Sequence, residues 1–126
     1  MHRLFFTFAA FLGFLSVALG AFGAHGLKAR MATLPDGVDR LDWWKTAALY
    51  HLTHALALAL AAGLFGQTRA GRVACVAFCV GIALFSGSLY TMTLTGTRWL
   101  GAVTPLGGLA LLVGWAALAL AAWYTV

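Results

Sequence analysis

Charged side chains occur at only four places along this 126-residue chain: Arg3, the stretch 28–45, the pair Arg69 and Arg72, and Arg98. Between and beyond them lie charge-free runs at 4–27, 46–68, 73–97 and 99–126, each 23 to 28 residues long. A bilayer core takes roughly 20 apolar residues as helix. Inside it each backbone N–H and C=O must be bonded within the protein, and a helix does this within one segment of chain. The spacing therefore predicts four transmembrane helices, approximately 4–24, 46–65, 73–94 and 104–124. Short connections make neighbouring helices antiparallel. The expected fold is all-α: a four-transmembrane-helix antiparallel bundle with a short interfacial helix in loop 1, forming one integral membrane domain over 1–126.

Composition excludes the alternatives. Only 9% of the residues are charged and 63% are hydrophobic, whereas a soluble domain carries roughly a quarter charged residues. The formal net charge of +5 does not indicate nucleic acid, because the cations are scattered at helix ends. There they serve as anchors at a lipid surface, so the expected partner is the bilayer. The apolar run from Leu4 to Ala24 exceeds the roughly 7–15 residues of a secretory signal core and reads as a retained helix.

Loop 1 (25–45) is the one sizeable connection. Leu27, Met31 and Leu34 share a helical face, which predicts an amphipathic helix in the interface. Pro35-Asp36-Gly37 is a turn signal, and Asp36 or Asp39 suits the cap of the following helix. Trp43, Trp44 and Lys45 read as interfacial anchors.

Small residues mark the expected seams, since close approach of backbones is what joins helices in lipid. Gly13, Gly20 and Gly23 in the first run, Gly87 in the third, and Gly107, Gly108 and Gly114 in the fourth are the helix-packing candidates. Cys75 and Cys79, one turn apart, read as small packing residues.

Polar groups inside the runs are the candidates for function. His51 and His54 share a face of the second helix, and His54 lies nine residues, roughly 13 Å of helix, beyond Lys45. Ionisable groups at such depth are rare and by default suggest function. His25, His51, His54, Ser86, Ser88 and Tyr90 form the candidate polar cluster. One reading is structural, with His54 hydrogen-bonding a neighbouring helix, and Ser86 and Tyr90 as candidate partners. Others are ligand or proton handling, or a three-histidine metal site; no carboxylate lies in the bilayer to orient such ligands. No Ser/His/Asp arrangement, phosphate loop or carboxylate pair is present, so neither enzymatic activity, a bound metal nor a cofactor is expected.

Several of these residues also form ordered motifs. Gly20-Ala21-Phe22-Gly23-Ala24-His25-Gly26-Leu27, Tyr50-His51-x-x-His54-Ala55, Phe85-Ser86-Gly87-Ser88-Leu89-Tyr90 and Thr104-Pro105-x-Gly107-Gly108 with Gly114-Trp115 resemble the YgdD/YwdK-like family of small membrane proteins. That resemblance covers nearly the whole chain. It implies a multi-pass protein of the cell (inner) membrane with no assigned activity, and it favours both termini in the cytoplasm. The cation count, three on the terminal side against five on the other, leans the opposite way.

The expected role is that of a helix-packing accessory or assembly protein contacting other membrane subunits or itself. The alternatives are a small oligomeric transporter or channel with a polar path near His54, and a histidine-based cofactor or metal module.

Overall fold

Each charge-free run lies mainly in a long helix in a computed structural model, which describes residues 1–125. Helix α1 (His2–Phe22) continues through a π-helical segment (Gly23–Leu27) into the short α2 (Lys28–Met31). A turn leads to α3 (Gly37–Phe65), then α4 (Arg69–Thr95), a 3-10 segment (Arg98–Ala102) and α5 (Thr104–Thr125). Four continuous helices are long and apolar enough to cross a membrane: His2–Met31, Gly37–Phe65, Arg69–Thr95 and Arg98–Thr125. Among the described residues there is no strand.

The short helix expected in loop 1 is α2, but it continues the first crossing rather than lying free. Only 32–36 remain as turn. The 29 residues of α3 rise about 43 Å, more than the roughly 30 Å hydrocarbon core. Asp39, Arg40, Asp42 and Lys45 therefore stand on helix that projects from the core, which is why charge and helix coexist there.

This turn is tight because residue 37 is glycine: a Cβ there would strike the Met31 carbonyl. Asp36 holds the N-cap position of α3, yet its side chain makes no capping bond. Its carboxylate turns instead to Arg40, whose Nε lies 2.9 Å away, an ion pair by distance with the N–H poorly aimed. A second cation, Arg98, approaches the same carboxylate at 3.4 Å. At the other end, Thr68 does cap α4, its Oγ1 accepting from Gly71 N–H at 2.9 Å. Gly96 ends α4 with φ +73°, a conformation that suits glycine.

The helices pack in chain order: α1 on α3, α3 on α4, α4 on α5, with sparse contact between α3 and α5 and no substantial seam between α1 and α5 among the described residues. Close approach is built by particular glycines. Gly107 meets the backbone of Phe85, Gly114 the Phe78 ring, Gly81 the Leu111 side chain, and Gly23 the Trp44 indole; a methyl at any of them would collide. At Gly108 an added Cβ would make only an ordinary contact, 3.8 Å from the Phe85 ring. At Gly13, Gly20 and Gly87 a Cβ would meet nothing within 4 Å, so these three build no close approach within the chain. Cys75 and Cys79 are free thiols in the central apolar cluster.

Candidate functional site

Helix α4 carries Ser86, Tyr90 and Thr93 at spacings of four and three, which places them on one face. That face is stitched to α3. Ser86 Oγ donates to the Ala47 carbonyl at 2.8 Å, Tyr90 Oη pairs with His51 Nδ1 at 3.1 Å, and Thr93 Oγ1 shares its one proton between the Arg40 carbonyl at 3.0 Å and the Leu89 carbonyl of its own helix at 2.9 Å. Ser16 adds a bond from α1, donating to the Ala48 carbonyl at 3.2 Å. Interhelical hydrogen bonds of this sort contribute about 0.6–2 kcal/mol each in a membrane. His51 itself is buried, and its Nε2 has no hydrogen-bond partner among the described residues.

His54, one turn further along α3, reaches toward α5, and its bonds define its chemical state. Nδ1 lies 2.7 Å from the Tyr50 carbonyl, and Trp115 Nε1 on α5 donates to Nε2 at 3.1 Å. A carbonyl only accepts and an indole N–H only donates. The ring is therefore neutral with its proton on Nδ1, and protonating Nε2 would break the bond to Trp115. Around it Tyr50 stacks on Phe85 with centroids 4.4 Å apart, and Phe78 meets Trp115 edge-on at 5.4 Å. Tyr50, His54, Phe85 and Trp115 line a groove of about 600 Å³ between α3 and α5, whose walls include Pro105, Leu109 and Leu112. Ser88 lies apart from this groove, joining Thr104 Oγ1 on α5 at 2.7 Å.

The expected cluster thus divides. His51, Ser86 and Tyr90 meet at the α3–α4 seam, His54 faces α5, and Ser88 ties α4 to the start of α5. His25 is separate and exposed, in the π-helical segment. The three-histidine arrangement does not form. No group of three His, Cys, Asp or Glu side chains among the described residues is placed to hold a metal ion. His54 takes its partner from α5 and from its own helix, not from Ser86 or Tyr90 as expected.

Two tryptophans carry roles that the sequence reading missed. Trp44, read as an interfacial anchor, is 3% exposed. Its Nε1 donates to the Leu19 carbonyl at 2.8 Å, just where α1 passes into its π-helical segment, and its ring lies 4.5 Å from Tyr90. Gly23 supplies the slot. For Trp115 the available signal was that a Trp N–H well inside an apolar run needs a partner, and His54 is the acceptor at matching depth.

The protein-of-unknown-function family DUF423 matches residues 19–108, which takes in α2, α3 and α4 and leaves out most of α1 and of α5, Ser16 and Trp115 among them. A membrane protein of Bacillus subtilis, YwdK, is 41% identical over 95% of this chain and 96% of its own length. The inner membrane protein YgdD of Escherichia coli is 40% identical over 90% of this chain and 85% of its own. A Haemophilus influenzae membrane protein is 36% identical over 94% and 93%. All three are designated UPF0382. No solved structure matches the chain. The chain belongs to the DUF423 family and is a multi-pass membrane protein.

Proposed function

We propose that this DUF423 protein is a non-enzymatic accessory subunit whose first crossing docks against a helix of another membrane protein. The observation that carries this reading is the division among the small residues. Gly23, Gly81, Gly107 and Gly114 are filled by neighbouring groups of the same chain, while Gly13 and Gly20 face open space. On α1 these two belong to a stripe of Ala10, Gly13, Val17, Gly20 and Ala24, all exposed or half-buried. Its alternating spacings of three and four suit a left-handed helix pair, and small residues let two backbones approach. The same helix is the least covered: 17% of its most apolar stretch is buried, against 50% for α4. Beside the stripe runs a groove of about 380 Å³ between α1 and α3, lined by Gly20, Ala24, Leu41 and Ala48.

The polar residues fit this role better than that of a conducting path. Ser86, Ser88, Tyr90 and His54 each spend their hydrogen bonds within the chain. We further propose that both termini face the cytoplasm. This is the orientation that the family resemblance favours, against the cation count of three to five. A reporter fused to the C-terminus, active in only one compartment, tests this.

Crosslinking in native membranes through cysteines placed at Ala10 and Val17 tests the docking. A discrete crosslinked species is expected, lost in Gly13→Leu and Gly20→Leu variants that keep wild-type thermal stability. A protein that stays monomeric in mild detergent and gives no crosslink from these positions would sink the reading.

A further inference from the structure

A second groove lies where α1 and α5 fail to meet. Both flank α4 at the terminal end of the bundle, and the space between them is about 660 Å³. Its walls are apolar, with Phe5 from α1, Val76 and Val80 from α4, and Val113 from α5, and its mouth carries Arg69 and Arg72. From Arg69 to Val80 is eleven residues of helix, roughly 16 Å. That is about half of a 30 Å hydrocarbon core, the depth of one leaflet. The two arginines stand in the first turn of α4, where the helix dipole also favours an anion. All three acidic residues of the chain, Asp36, Asp39 and Asp42, lie at the other end, and neither arginine has a carboxylate partner among the described residues. Arg72 is oriented by one bond, Nη1 donating to the Gln67 carbonyl at 2.9 Å, which leaves its remaining donors available.

We propose that this groove is a binding site for an anionic phospholipid. Arg69 and Arg72 hold the headgroup phosphate, and one acyl chain lies along Val76 and Val80 between Phe5 and Val113. A bare apolar groove would accept any lipid. The cations at interfacial depth, without a carboxylate partner among the described residues, select the charged headgroup, as basic pockets between membrane helices do. The site is independent of the docking face on α1, which lies at Gly13 and Gly20.

Native mass spectrometry of the full chain, released from detergent containing phosphatidylglycerol or phosphatidylcholine, reads the selection directly. Wild type is expected to retain phosphatidylglycerol preferentially, with the preference falling roughly five-fold for each arginine removed. Arg69→Gln with Arg72→Gln should bring it near the phosphatidylcholine level, whereas Lys28→Gln with Arg30→Gln, at the opposite end, should leave it intact. Val76→Trp, which fills the groove under the headgroup, should reduce retention of both lipids. A preference that survives the double arginine change overturns the proposal, and so does one lost equally at the opposite end. Should the arginine pair fail to fold, unchanged phosphatidylglycerol retention in Val76→Trp overturns it instead. Inorganic phosphate should not displace the lipid; displacement would overturn the acyl-chain half of the site.

Discussion

The two ends of the bundle handle their cations in opposite ways. At the end holding the 32–36 turn, Asp36 draws in Arg40 and Arg98, Arg98 lies 5.2 Å over the Trp43 ring, and Arg40 packs against Gly96. Trp44 is buried beneath them and bonded to α1. At the terminal end Arg3, Arg69 and Arg72 have no carboxylate partner among the described residues, and the space between α1 and α5 stays open. The same residue types thus build protein structure at one end and have no carboxylate partner among the described residues at the other. What decides the difference is the placement of the three aspartates and of one glycine turn.

Substitutions can break that contrast, and the largest effect is expected at Gly37. Gly37→Ala pushes a methyl into the Met31 carbonyl. Backbone offers little relief, so a loss of about 3 kcal/mol is expected, read as a lowered melting temperature in detergent. Trp44→Phe removes the bond to Leu19 while keeping most of the ring, and should cost about 1–2 kcal/mol. A melting temperature unchanged by Trp44→Phe would show that the indole N–H contributes nothing to the α1–α3 seam.

A smaller effect is expected at Asp36, and its sign depends on pH. The Arg40 side chain beside it, more than offsetting partial burial, holds its carboxyl below the usual carboxylate range. A depressed folded-state value means the stabilisation is present above the unfolded carboxyl pKa and lost as pH falls through the folded one. Thermal melts at neutral pH and at about pH 3 should therefore show a larger drop for wild type than for Asp36→Asn. Equal drops would mean that the ion pairs do not couple to folding. The smallest effect belongs to the other end: Arg69→Gln with Arg72→Gln should shift stability by no more than about 0.5 kcal/mol, despite removing two full charges. A large loss there would mean that the terminal end is as internally tied as the turn end.

How much of this was legible in the sequence varies with the range of the interaction. The Ser86, Tyr90 and Thr93 face was readable, because helical spacing places side chains on a shared side wherever the helix goes. So was the need of a deep histidine for a partner. The identity of that partner was not, because Trp115 reaches His54 only when α5 crosses next to α3 at the right height. Trp44 misled for a related reason. Its sequence neighbours are interfacial, and only the π-helical segment at Gly23 opens a slot that takes the ring inward.

The four crossings and their lengths followed from the sequence alone, because the bilayer sets a ruler and charge cannot lie inside it unpaired. The alternation of direction followed too, from connections too short to allow anything else. Which glycines face a neighbour, which arginines find an aspartate, and which histidine meets which aromatic were decided only by tertiary structure. Those outcomes depend on the rotation of each helix about its axis and on its depth relative to the others. In lipid the apolar stretches are equally content on every side, so hydrophobicity cannot set that rotation, and close packing and hydrogen bonds across the seams do.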